Sequence, residues 1–210
     1  ARYFNQSLKA QLLFGDITHV AGVPSIQKSR PIAGQNQNAV VMKMEKKRHF
    51  FFIDDPVPFS GKKDMLIFRG TIPYPNRIEF IKNYFCHTFC ELGKINPSGG
   101  NPLWIKQKIS IPQHLSYKFI LSLEGNDVAT NLKWIMSSNS IAVMPKPKFE
   151  TWFMEGTLIP DHHYIQIKED YSDLEEKLAF YINNKTAAEN IVRNANAYVQ
   201  LFKNWEMENA

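Results

Sequence analysis

Short apolar runs alternate with amphipathic segments along this chain, and the alternation sets the expected elements. Met65-Leu66-Ile67-Phe68 reads as a buried strand. Gly70 and a proline-rich turn follow, and then Ile78, Ile81 and Phe85 recur at helical spacing over 77–85. The run over 118–123 is the next strand, ended by Gly125. A helix over 127–137 is expected from Val128, Leu132 and Ile135, with Asp127 as its cap. Residues 140–144 give a third strand closed by Pro145, 150–155 a short helix stopped by Gly156, and Tyr164-Ile165-Gln166-Ile167 a fourth strand. Two amphipathic helices, over 173–183 and 186–202, complete the series, with Ser172, Asp173 and Thr186 as starting caps.

Strands that are buried along their length, alternating with helices, predict an α/β fold: a Rossmann-like parallel sheet with helices on both faces. Ligands of such sheets sit at the carboxyl ends of strands, against helix amino termini. The segment 123–130 is a turn of that kind. Before residue 60 the pattern is weaker. Pro24, Pro31, Pro56 and Pro58 and the polar loop 34–38 read as the tail of a preceding domain followed by a connector.

Composition narrows the class. The chain has 210 residues, 44% of them hydrophobic, an ordinary globular proportion. No apolar run is long enough to span a bilayer, and no basic-then-apolar leader opens the chain. It begins Ala1-Arg2-Tyr3-Phe4-Asn5-Gln6, which reads like the interior of a longer protein. Cys86 and Cys90, with His87 between them, are too few for a structural metal site or a disulfide framework. They read as reduced thiols near a helix end in a cytoplasmic protein. The net charge of +5 suits polyanionic partners, whether nucleic acid, anionic lipid or phosphorylated small molecules. The basic run 43–48 fits a solvated helix face. The aromatics sit within apolar runs, and Phe50-Phe51-Phe52 reads as core, which argues against a nucleic-acid-binding module. Gly125 stands alone where a dinucleotide fold needs Gly-x-Gly-x-x-Gly. His162-His163 has no third metal ligand nearby.

Several blocks occur in a recognisable order: Gly15-Asp16, then Lys28-Ser29-Arg30-Pro31; Phe68-Arg69-Gly70, then Pro75-Asn76-Arg77; and 118–133, Ser137 to Met144, Glu150-Thr151-Trp152-Phe153, 158–164 and 167–174. In this order and spacing the chain resembles glycosyltransferase family 90, which includes protein O-glucosyltransferases and bacterial lipopolysaccharide core glycosyltransferases. The resemblance implies the donor-binding half of a two-domain, GT-B-type transferase. Residues 1–60 would be a remnant of the amino-terminal acceptor domain with a connector, and 61–210 the nucleotide-sugar-binding domain. It implies inverting transfer from a UDP-sugar to a lipopolysaccharide or other glycan acceptor, with no cofactor and no bound metal. It also implies a cytoplasmic protein with possible peripheral contact at an anionic inner membrane and no nucleic-acid partner. A nucleotide-sugar-binding fragment without activity of its own is the alternative.

The chemistry distributes as follows. Inverting transfer needs a base for the acceptor hydroxyl and positive charge for the departing diphosphate. The resemblance assigns the base to Asp16, which after Gly15 is equally a turn-forming aspartate. It assigns diphosphate contact to Arg77, whose guanidinium fork matches phosphate oxygens; the alternative is an exposed arginine on a first helical turn. Arg69 and Gly70 sit at a strand end, where Arg69 either meets the nucleotide or ties the turn down, and Thr71 matches a serine of the family. Asn126, Asp127, Val128, Ala129 and Thr130, after Glu124 and Gly125, match a second nucleotide segment whose amides would face the phosphates from a helix start. Asp127 would repel a diphosphate and so reads as the cap. Asn131 replaces an arginine common in the family, and Lys133 would compensate only if its stem reached around the helix. Glu150 is a candidate for the ribose hydroxyls or a solvent-facing carboxylate, Glu124 an acceptor for sugar or backbone, and Lys28 and Arg30 candidates for the acceptor cleft.

Overall fold

A computed structural model of the chain describes residues 5, 7, 9, 11–44 and 51–203. The expected basic run beyond Met44, and Phe50, lie outside the described residues. The strands are β1 (Gln11–Leu12), β2 (Ser25–Gln27), β3 (Ser29–Pro31), β4 (Ala39–Val41), β5 (Lys63–Gly70), β6 (Cys90–Lys94), β7 (Tyr117–Leu121), β8 (Ile141–Met144), β9 (Phe149–Thr151) and β10 (Ile165–Gln166). The α-helices are α1 (Pro75–Tyr84), α2 (Ile111–His114), α3 (Leu132–Met136), α4 (Leu174–Asn183) and α5 (Lys185–Gln200).

Contacts divide the chain into two compact units. One is Ala1–Arg48 with Glu124–Val128 and Pro147–Thr157; the other is His49–Leu123, Ala129–Lys146 and Leu158–Ala210. This division differs from the expected one at 60/61, because two later segments group with the amino-terminal residues. The first unit holds a parallel sheet in the order β1-β2-β4 and an antiparallel pair of β3 with β9.

The second unit is the expected parallel α/β sheet with flanking helices. Its five strands lie in the order β10-β8-β7-β5-β6, and every pairing is parallel. β5 lies inside the sheet between β7 and β6, and its apolar run is buried: Leu66 and Ile67 are fully buried and Phe68 nearly so. One layer of the core joins Phe68, Phe80, Ile81, Leu121, Val143, Ile165, Leu174 and Ile191. On α5 the buried positions Ala188, Ile191, Val192, Ala195 and Val199 follow the helical repeat. A buried ion pair, Lys62 to Asp55 at 2.7 Å, secures the segment leading into β5.

Several expected elements change. β6 was read as a helix end, yet Cys90 is paired with Leu66 as a strand residue. The helix over 127–137 shortens to α3, and the helix over 150–155 is replaced by β9 and a single 3-10 turn, Glu155–Thr157. Asp173 stands at the start of α4 without capping it; its carboxylate accepts from the Lys168 amide at 2.8 Å. α5 starts at Lys185, not Thr186. Phe51 is 47% exposed, so it is not core.

In sequence the sheet strands run β5, β6, β7, β8, β10, so their spatial order is second, first, third, fourth, fifth. The direction of building reverses between β5 and β7. In a parallel sheet with right-handed crossovers, such a reversal sends the connections after the two strands to opposite faces, and ligands bind at the carboxyl ends of those strands.

Candidate functional site

The residues at that reversal come from the end of β5 and the start of α1. A side chain at Gly70 would bring its Cβ within 2.9 Å of the Phe68 ring, so the glycine lets β5 end against its own core. The chain turns through Thr71 to Tyr74, and Pro75 opens the helix, where its fixed φ and missing N–H carry no penalty. Arg77 is thereby set in the first turn. Its Nη1 donates to the Thr71 carbonyl at 3.0 Å and its Nη2 to the Leu123 carbonyl, just beyond β7, at 2.6 Å. The guanidinium lies over the Tyr74 ring at 5.3 Å.

Arg77 is half-buried, not an exposed surface arginine, and among the described residues no carboxylate pairs with it. Its Nε is buried without a hydrogen-bond partner. Burial pulls its pKa below the usual arginine value, opposed only by Tyr74. A desolvated cation held by carbonyl dipoles alone, at a helix amino terminus whose dipole is also positive, is electrostatically incomplete. An anion between β5 and β7 would complete it.

Arg69 differs. Its Nη2 pairs with the Glu91 carboxylate, and its Nη1 donates to the Phe68 and Glu91 carbonyls at 3.1 and 3.2 Å. Lys106 reaches the same carboxylate at 3.0 Å. Burial acts to raise the Glu91 pKa, but the two cations reverse this and hold it below the usual range. Arg69 therefore ties β5 to β6, with its charge already matched.

The second expected nucleotide segment is an irregular loop. Asn126–Thr130 are bends and turn residues, and α3 begins only at Leu132, so these amides do not open a helix. Val128 and Ala129 are buried, while Asn126 and Thr130 are exposed. Asn131 closes the loop onto the strand: its Nδ2 donates to the Leu121 carbonyl at 2.9 Å and its Oδ1 accepts from Ser122 at 3.1 Å. Lys133 is almost fully buried, so its ammonium is not a solvent-facing charge on α3.

Asp127 is not a helix cap. It is 4% exposed, and its Oδ2 accepts from Ser29 Oγ and pairs with Lys28 Nζ, both at 2.7 Å. Lys28 Nζ also pairs with Asp16, whose second oxygen lies 3.5 Å from Asn126 Nδ2. Burial lowers the Lys28 pKa, but hydrogen bonds and charge from Asp127 and Asp16 outweigh it and leave the pKa raised. The first unit thus brings together Asp16, Lys28, Ser29 and Asp127. Nothing local announces the grouping: Ser29 and Asp127 are 98 positions apart.

Arg30 and Glu150 face each other across β3 and β9. Nε and Nη2 both reach Glu150 Oε1 at 2.8 Å, and Arg30 Nη1 donates to the Ala39 carbonyl. Glu150 is buried, not solvent-facing. Glu124 accepts from the amides of Lys148 and Phe149 at 3.0 and 3.2 Å, in keeping with its backbone role. Burial nevertheless raises its pKa to about 7. His162 and His163 pack ring against ring at 4.6 Å, and His163 Nδ1 accepts from the Ile159 amide. Among the described residues no cluster of three His, Cys, Asp or Glu side chains is arranged to hold a metal ion. No described helix is long and apolar enough to cross a membrane.

The profile of glycosyl transferase family 90 matches residues 99–209. A curated protein from Dichelobacter nodosus, described as O-glucosyltransferase LpsA, is 42% identical over 207 residues. That match covers 99% of this chain and 65% of the relative's length.

Proposed function

Since the chain belongs to glycosyltransferase family 90, we propose that it forms the donor-binding part of an inverting glycosyltransferase. The donor would be a UDP-sugar and the acceptor a lipopolysaccharide or other glycan, at or near an anionic membrane surface. The observation that supports donor binding most directly is Arg77: a half-buried guanidinium with no counter-charge among the described residues, at the carboxyl end of β5 beside Leu123. A diphosphate is the ligand that such a group would hold best, because two N–H donors can meet two phosphate oxygens at once.

In this reading Arg77 offsets the charge that develops on the departing diphosphate, and the acceptor hydroxyl is deprotonated by Asp16. Asp16 fits that task as an exposed carboxylate on the connection between β1 and β2, with Gly15 before it at φ +94°. That backbone angle suits glycine and turns the chain sharply at the carboxylate. Arg69, Asn131, Glu150 and Lys133 act through the scaffold, since hydrogen bonds, ion pairs or burial already commit them.

Titration calorimetry of the purified chain with UDP, ADP and GDP tests the donor assignment. A clear preference for UDP, lost in Arg77→Ala, is the expected result. Equal affinity for all three would remove the uridine donor from the proposal.

A further inference from the structure

Two carboxylates and one lysine share the Asp16 cluster, and the burial of each decides how the charge is distributed. Asp127 is 4% exposed and is held on one oxygen by both Lys28 and Ser29. Lys28 is 7% exposed, so its ammonium has exchanged most of its water for the two carboxylates. The Asp16 side chain remains 36% exposed. The trio carries a net charge of −1, and the carboxylate that reaches solvent is Asp16.

We propose that Lys28, anchored by Asp127 and Ser29, is a positioning residue that fixes the Asp16 carboxylate in place, while the Asp127 charge offsets the acidifying effect of Lys28 on it. Lys28 is a candidate for the acceptor cleft, and its ammonium pairs with both Asp127 and Asp16. Alone, Lys28 would neutralise Asp16 and leave it a poor base. With Asp127 drawing on the same ammonium, Asp16 keeps its negative charge while losing its freedom to rotate. This inference rests on the reading of Asp16 as the base and adds the two residues that set its strength.

The proton and electron inventory closes. The acceptor O–H bond breaks and its proton bonds to an Asp16 oxygen. The freed oxygen pair forms the new bond to the anomeric carbon as the bond to the diphosphate oxygen breaks. The trio passes from −1 to neutral, with Lys28 still charged and still paired with Asp127. No proton needs to leave Lys28, consistent with its raised affinity for protons.

Among the described residues, Lys28, from the junction of β2 and β3, pairs with Asp16, and Asp127, from the 124–128 loop, pairs with the same ammonium. Asp127→Asn keeps the size of the side chain but removes the charge that competes for Lys28. The Asp16 titration midpoint, followed by its carboxyl carbon resonance, should then fall by on the order of one pH unit, the size expected for a unit charge at this range near a surface. In the full-length enzyme the acidic limb of the pH–rate profile should move down by the same amount. Lys28→Met should move the midpoint the other way, upward, while Lys28→Arg should restore it. An unmoved midpoint in whichever of Asp127→Asn and Lys28→Met retains the native amide spectrum would overturn the proposal. Failure of the base reading would look different: Asp16→Asn would turn over normally, whatever the midpoints do.

Discussion

Arg77 Nη2 donates to the carbonyl of Leu123 at 2.6 Å, joining the first turn of α1 to the end of the β7 segment across the reversal in strand order. Two strands that are neighbours in the sheet but separated in sequence are bridged there by a cation that has no acidic partner among the described residues. Arg77→Ala should weaken UDP binding by about 1.5–3 kcal/mol, the worth of hydrogen bonds to a charged group. Arg77→Lys should recover only part of this, because an ammonium cannot fork. Calorimetry on both variants checks it, and unchanged affinity in a folded Arg77→Ala protein would move the phosphate site elsewhere.

How much of this was legible follows from particular residues. β7 and β8 announce themselves, since Phe119-Ile120-Leu121 and Ile141-Ala142-Val143 are unbroken apolar runs. β6 does not, because Cys-Glu-Leu-Gly-Lys has no apolar run. Its Lys94 is nonetheless fully buried, with its ammonium turned onto the carbonyls of Pro97 and Gly99. The amino-terminal strands are two or three residues long, too short for any period to register. Asp127 has the local signature of a cap, but Lys28 and Ser29 claim its carboxylate from a distant part of the chain. A local rule lost there to a buried ion pair. Arg77 was found from its block with Arg69 and Gly70, whereas its missing counter-charge could be seen only in three dimensions.

The Arg30–Glu150 pair should matter more to stability than to donor affinity. Both guanidinium nitrogens converge on a buried carboxylate whose other oxygen accepts from the Gly156 amide at 3.3 Å. Removing one partner strands the other, so Arg30→Ala should cost about 3–5 kcal/mol. Urea denaturation measures the loss. A change below about 1 kcal/mol would place the pair among weak surface contacts.

Glu124 should give the fold a pH dependence of definite sign. Its ordinary value is 4.5, and burial raises it to about 7 in the folded chain. Between these values the folded state holds a proton that the unfolded state has released. The contribution of Glu124 is therefore full below about 4.5, declines as pH rises, and is gone above about 7. Glu124→Gln should flatten this component and raise stability at pH 8 relative to wild type. Denaturation curves for both proteins at pH 5 and pH 8 test the sign, and a wild type whose Glu124-dependent component rises with pH would reverse it.

Of the two thiols, only one should react in the native state. Cys86 is exposed, while Cys90 is buried in β6 and burial pushes its pKa up to about 12. The thiolate is the nucleophile, so Cys90 should stay inert at neutral pH. A thiol reagent should count one cysteine in the folded protein and two after denaturation. Two fast-reacting thiols in the native protein would mean that β6 opens readily.

The last prediction concerns turnover. If Asp16 removes the acceptor proton, Asp16→Asn in the full-length protein should lower the rate of UDP release by roughly a hundredfold or more, the usual contribution of a positioned base. Donor affinity should hold, because Asp16 lies outside the two segments, 69–77 and 124–133, assigned to the nucleotide. The substitution also leaves Lys28 paired with Asp127, so the fold should survive and the loss should appear in kcat rather than in KM for the donor. Chelator should leave the wild-type rate unchanged, since in the proposed chemistry the diphosphate charge is met by Arg77. Normal turnover by the variant would return Asp16 to a turn-forming role. Inhibition of the wild type by chelator would instead make the carboxylates of the 16–127 cluster candidates for holding a metal ion, and a base-only mechanism would have to be given up.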